Sequence, residues 1–107
     1  VPETADPRIQ FVKGLFQQSL PLFLKRFVPS KCLVIHIDCD VYTSTLYCLT
    51  KLDAILGKRS ILLFDEFYSS SHEFRAFIDY STAYQRLYRV LGAVDRNPYV
   101  GIAIILD

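Results

Sequence analysis

Lys31–Ser44, KCLVIHIDCDVYTS, decides how this chain folds. Cys32–Ile37 is an apolar run interrupted only by His36. A run without polar alternation predicts a strand buried on both faces, as in parallel sheets flanked by helices. It ends in two carboxylates two residues apart, Asp38 and Asp40. A second stretch repeats the design: in Ser60–Phe67, SILLFDEF, an apolar strand ends in Asp65 and Glu66. Open α/β sheets bind ligands in the crevice at the carboxyl ends of their strands. With the two strands side by side, four carboxylates would share one small space. Their repulsion calls for a positive partner, and a divalent cation with oxygen ligands meets that need.

Working outward, Val1–Pro7 reads as a flexible lead-in. Arg8–Lys13, RIQFVK, alternates well enough to predict a strand ended by Gly14. Phe16–Phe27 predicts a helix with Ser19 as N-cap and Pro21 in its first turn. His36 reads as a hydrogen-bonded histidine inside the fold, with a ligand or base role as the alternative. Beyond the acidic pair, Thr43 or Ser44 can cap a helix. Leu46, Leu49, Leu52, Ile55 and Leu56 then recur at helical spacing up to Gly57. A third helix is expected over about Ser71–Gln85, with Ser70 and Glu73 at capping-box spacing. Its apolar side would carry Phe74, Phe77, Ile78, Ser81 and Tyr84. Leu87–Val94 and Tyr99–Leu106 read as strands. Their connection is too short for a helical crossover, so they form an antiparallel hairpin. The order β-α-β-α-β-α-β-β predicts an α/β three-layer sheet, mostly parallel, with a C-terminal antiparallel hairpin.

The length of 107 residues fits one domain, residues 1–107. With 8 Phe and 7 Tyr, the chain has the apolar surface for a packed core rather than disorder. A net charge of +1 offers no electrostatic footprint for nucleic acid. No apolar run approaches the ~20 residues that span a bilayer, so neither nucleic acid nor membrane is expected as a partner. Cys32, Cys39 and Cys48 are odd in number and match no zinc spacing. They read as free thiols in a reducing compartment. With no secretory signal pattern, the expected location is cytoplasmic. The chain contains no Met and starts at Val1, which suggests a piece of something longer.

Together these residues resemble a known family. The ending β-α-β-α-β-β with a reversed last strand is similar to the second half of the class I S-adenosylmethionine-dependent methyltransferase fold. HIDCDVYTST, then FDEF, then HEFRAF, preceded by FVKGLFQQSLP, resembles the macrocin O-methyltransferase (TylF-like) family. That family's strand ends in H-x-D-x-D-x-Y-x-S-T, and a later one in D-[DE]-[YF]. The resemblance implies a Rossmann-like methyltransferase domain, here without its first two strands. It implies methyl transfer from S-adenosylmethionine to a hydroxyl of a sugar or similar small molecule, assisted by Mg2+. Asp38, Asp65 and Glu66 would be metal ligands and Asp40 the general base. His36, Tyr42 and Ser44 would line the acceptor site. Glu66 stands where family members often carry Asp.

One absence qualifies this picture. The family's cofactor rests on a Gly-rich turn, yet Gly14, Gly57, Gly92 and Gly101 are the only glycines and none lies in G-x-G. The cofactor-binding half is therefore expected to be missing, and the chain is not expected to be active alone. The strand ending at Ile37 would lose its neighbour, and an open apolar edge invites pairing. Either Arg8–Lys13 fills that gap or two copies associate through it as a homo-oligomer. Two other readings stay open. One is a non-catalytic oligomeric or metal-binding module. The other is a haloacid-dehalogenase-like phosphatase, which also begins with D-x-D but wants Thr or Val where Tyr42 stands.

Overall fold

The computed structural model describes residues 3–65, 67, 72–96 and 99–107. Its elements are helix α1 (Phe16–Arg26), strand β1 (Val34–Ile37), helix α2 (Tyr42–Leu52) followed by a single 3-10 turn (Asp53–Ile55), strand β2 (Ile61–Phe64), helix α3 (Glu73–Ala83), strand β3 (Tyr88–Arg96) and strand β4 (Tyr99–Leu106). The described residues thus form a small α/β unit: three helices and a mixed four-stranded sheet in the order β1-β2-β4-β3.

β1 and β2 pair in parallel, with His36 opposite Leu63 and Ile37 opposite Phe64. β4 runs antiparallel to both β2 and β3. β1, β2 and β3 therefore share a direction, and β4 is the reversed strand, as the expected hairpin requires. The sheet is less parallel than expected, with one parallel ladder against two antiparallel ones. The reason is that Arg8–Lys13 is not a strand. It is irregular and exposed, with Ile9, Phe11 and Val12 each more than 40% open. A strand needs a partner for its N–H and C=O groups, and this stretch does not reach the edge of β1. The expectation that it fills that edge is therefore corrected.

The layers also differ from the expected three. Ile37, Leu62, Phe64, Ile104 and Leu106 point to one face of the sheet. There they meet Leu49 and Leu52 of α2 and Phe77 and Tyr80 of α3. Each such side chain contributes roughly 1.5–3 kcal/mol by leaving water. Both helices pack against each other on this same face, and α1 leans on α2 through Leu20 and Leu24. The opposite face is less covered among the described residues: Val34 is 57% exposed, His36 is exposed, and Ile61 and Leu63 are half-buried, with Ile105 of β4 buried. Continuous apolarity in β1 thus does not mean burial on both sides, because β1 is an edge strand with one covered face.

Helix boundaries shift for local reasons. α1 starts three residues ahead of Ser19, with Leu15 as its N-cap. The Ser19 hydroxyl donates back to the Leu15 carbonyl at 2.9 Å, and Pro21 lies inside the helix. α2 starts at Tyr42 behind Val41, without a side-chain cap. Thr45, fully buried, donates its hydroxyl to the Val41 carbonyl at 2.8 Å. The buried stripe of α3 is Glu73, Ala76, Phe77, Tyr80 and Ser81. It is rotated from the expected one, so that Phe74 and Tyr84 are 39% and 45% exposed.

Tyr42 ties the two helices of the covered face. Its hydroxyl donates to Asp79 Oδ2 at 2.6 Å, and Arg75 bonds the same carboxylate from one turn away. The Tyr42 hydroxyl, and then Arg75, hold the Asp79 carboxyl below its ordinary range. A depressed carboxyl stabilises the fold above its unfolded pKa and loses that contribution as pH falls through the folded one. Tyr42→Phe keeps the ring and removes the donor. It is expected to lower the melting temperature by about 5 °C or less and to raise the Asp79 pKa toward its ordinary value, read by carboxyl NMR titration.

Candidate functional site

The carboxyl end of β1 builds the site. The strand stops at Ile37, and Asp38, Cys39 and Asp40 form an irregular turn into α2. Asp40 sits at φ +68°, the left-handed region that Asp and Asn tolerate better than most residues. Its backbone N–H donates to Glu73 Oε2 at 3.2 Å. Glu73 opens α3 and is fully buried. Oxygens of Asp38, Asp40 and Glu73 lie within 4.8 Å of one another. Sequence spacing anticipated the first two. Their convergence comes from the turn, and Cys39 between them packs against the core.

Asp65 follows β2 directly, next door to β1, and its Oδ1 lies 2.9 Å from His36 Nε2. His36 is hydrogen-bonded as expected, but it is not inside the fold: the His36 and Asp65 side chains are 55% and 52% exposed. Pairs this open contribute about 0–1 kcal/mol. Asp38 feels the charge of both groups. Loss of hydration, then the charge of Asp65 and the Asp40 carboxylate, push its pKa above the ordinary carboxylate range, while His36 opposes the rise. The part of this rise that comes from the neighbouring Asp65 and Asp40 carboxylates is the part a cation would relieve.

Of the other residues expected in the site, Glu66 lies outside the described residues. Ser44 is half-buried in the first turn of α2. Tyr42 commits its hydroxyl to Asp79. Glu73 was expected only as part of a capping box, whose Ser70 lies outside the described residues. His72 is the N-cap, without a side-chain bond, and Glu73 turns into the fold instead. A signal for this exists in the sequence: Glu73, Ala76, Phe77 and Tyr80 share an i, i+3, i+4, i+7 stripe. A carboxylate on the core side of that stripe, just after an acidic strand end, points inward at the other acids.

Beside the acids a groove of about 440 Å³ runs between α1, β1 and α2. Phe16, Leu20 and Phe23 wall one side, and Asp38, Cys39 and Cys48 lie on the other. Three carboxylate oxygens in one cluster suit a hard divalent cation such as Mg2+, which takes oxygen ligands. The donor set therefore fits such an ion. The turn after β1 contains no glycine, and none of the four glycines lies in a G-x-G arrangement.

No helix of the described residues is long and apolar enough to cross a membrane. No curated protein matches the chain. The profile of the family described as macrocin-O-methyltransferase (TylF) matches residues 3–99. That span takes in the D-x-D of Asp38 and Asp40, the end of β2 and the three helices of the described residues. The chain belongs to the macrocin-O-methyltransferase (TylF) family, an O-methyltransferase-like domain whose family implies the use of S-adenosylmethionine.

Proposed function

We propose that this chain forms the acceptor side of a metal-dependent O-methyl transfer from S-adenosylmethionine to a hydroxyl of a sugar or similar small molecule. The observation that carries the reading is the meeting of Asp38, Asp40 and buried Glu73 at the carboxyl end of β1. Asp38, a member of this cluster, is the central metal ligand; Asp65 at the end of β2 would add a second, and Glu66, outside the described residues, is a third only by the family resemblance. A divalent cation held there supplies positive charge that orients a hydroxyl and lowers its pKa. Asp40 accepts the hydroxyl proton at its carboxylate. Glu73 positions Asp40 by taking its backbone N–H, which holds the turn in its left-handed conformation. The partly apolar groove beside Asp38 receives the body of the acceptor.

We assign the methyl donor to a separate part of the protein, since none of the four glycines lies in a G-x-G arrangement. Titration calorimetry with S-adenosylmethionine in saturating magnesium tests this division. The expected result is no micromolar binding by this chain. Micromolar binding would place a donor site within it and overturn the division.

The outer edge of β1 is unpaired among the described residues. We read it as the place where a second copy adds its own β1 in a homo-oligomer, in a reducing cytoplasm. Sedimentation should then give a concentration-dependent dimer that a Pro at Val34 abolishes, since the Leu33 and Ile37 carbonyls bond β2 and the alternate residue Val34 carries its donor on the open edge. A monomer at high concentration would contradict this.

A further inference from the structure

Two thiols meet directly behind the acid cluster. Cys39 Sγ lies 4.0 Å from Cys48 Sγ. Cys39 is half-buried in the turn between Asp38 and Asp40, and Cys48 is buried in the middle of α2. Both line the groove that opens between α1, β1 and α2, so a small oxidant can reach them. Cys32 is exposed and lies ahead of β1.

We propose that Cys39 and Cys48 are a reversible dithiol–disulfide site, closed by a hydroperoxide, whose closure draws the Asp38–Asp40 turn toward α2. The Cys39 thiolate attacks one peroxide oxygen. The O–O bond breaks, leaving a sulfenic acid on Cys39 and releasing water or an alcohol. The Cys48 sulfur then attacks the Cys39 sulfur. The S–O bond breaks, and water leaves with the Cys48 proton. The two thiols together lose two electrons and two protons, and the peroxide is reduced. A small dithiol reverses the bond by exchange through a mixed disulfide.

A disulfide is about 2.05 Å long, so the sulfurs must approach by roughly half their present separation. The two ends do not yield equally. Cys48 sits in a regular helix, and its side chain packs in the core beside Ile37, Leu49 and Leu52. Cys39 sits in irregular backbone one residue before the left-handed Asp40. The turn therefore takes up the movement. It carries the 3.2 Å bond from the Asp40 N–H to Glu73, and closing the disulfide strains that bond. Oxidation would thus disturb the same carboxylates that the proposed function uses. The thiol chemistry itself does not depend on that function.

The test uses the full chain with Cys32→Ser, which removes the exposed thiol. The folded protein is treated with hydrogen peroxide, denatured, alkylated and cut with trypsin. One peptide, bounded by Lys31 and Lys51, then holds both remaining cysteines. The expected peptide is about 2 Da lighter than the dithiol form, takes no alkyl group and recovers with dithiothreitol. Cys48→Ser abolishes this product. In the oxidised protein the Asp40 amide should exchange with solvent at least about tenfold faster than in the reduced one. Alkylation of both cysteines after peroxide overturns the proposal. So does a sulfinic acid on Cys39 beside an alkylated Cys48, or a disulfide that leaves Asp40 amide exchange unchanged.

Discussion

Arg86→Met destabilises the fold by about 2–4 kcal/mol, because the guanidinium is the clasp between the end of α3 and the turn after α2. Its Nε donates to Asp53 Oδ1 at 2.9 Å, and its Nη2 donates to the Asp53 carbonyl at 3.1 Å and to the Leu56 carbonyl. Tyr80, fully buried, donates its hydroxyl to the same Asp53 Oδ1 at 2.6 Å. The Arg86 and Asp53 side chains are only 19% and 24% exposed, so solvent screens the pair weakly. Met fills much of the space but supplies no donor. It leaves the Asp53 carboxylate with Tyr80 alone and the two carbonyls without Arg86. For a domain of this length the melting temperature should fall by on the order of 10 °C or more. Asp53→Asn should cost less, because an amide oxygen still accepts from both donors. Equal losses in the two variants, measured by thermal denaturation, would mean that charge rather than donor count holds the clasp. Burial and the Asp53 carboxylate also push the Tyr80 hydroxyl above the ordinary range. Its contribution is fully present below the unfolded tyrosine pKa near 10 and is lost as pH rises beyond it. Alkaline unfolding of the wild type should therefore start earlier than that of Tyr80→Phe, relative to each protein's stability at pH 7.

Asp38→Asn has two opposite effects. Without a cation, the variant is expected to be more stable than the wild type at neutral pH. The folded state raises the Asp38 pKa, so the ionised form is the disfavoured one. Stability linked to such a group is fully present below the unfolded pKa near 4 and is lost as pH climbs through the folded value. Asn removes that loss and should flatten the stability profile in this window, read by denaturant titration at several pH values. With a cation the order reverses. The variant lacks the proposed central ligand, and affinity for magnesium should drop by at least about a hundredfold, beyond what loss of an outer-shell partner costs. A site that is costly to the bare fold and repaid by its ligand is the pattern expected of function. A variant that loses stability at neutral pH without metal would remove this argument.

Much of the fold is legible in the sequence because the signals are local. Ile61–Phe64 is bounded by turn residues and acid and is found at those residues. The final hairpin follows from a connection too short to cross over, and α2 follows from leucines at helical spacing. What local signals miss are the decisions made by partners. Arg8–Lys13 alternates like a strand, but no sheet edge receives it. Cys32–Ile37 is apolar but for His36, yet its first two residues precede β1 and one face of the strand stays open. The acid pair Asp38 and Asp40 is evident from spacing. Glu73 is not, because only the packing of α3 against α2 brings it thirty-three residues back along the chain to the Asp40 amide. Reading the buried stripe of α3 through Tyr80 rather than Tyr84 would have placed Glu73 on the inner face.

The measurement that bears most directly on the proposed acceptor site is calorimetric titration of the reduced chain with magnesium, run beside Asp38→Asn. The expected result is one saturable site per chain in the wild type and none in the variant over the same range. No heat in the wild type, or equal binding by both proteins, would contradict a metal-dependent site at the carboxyl end of β1.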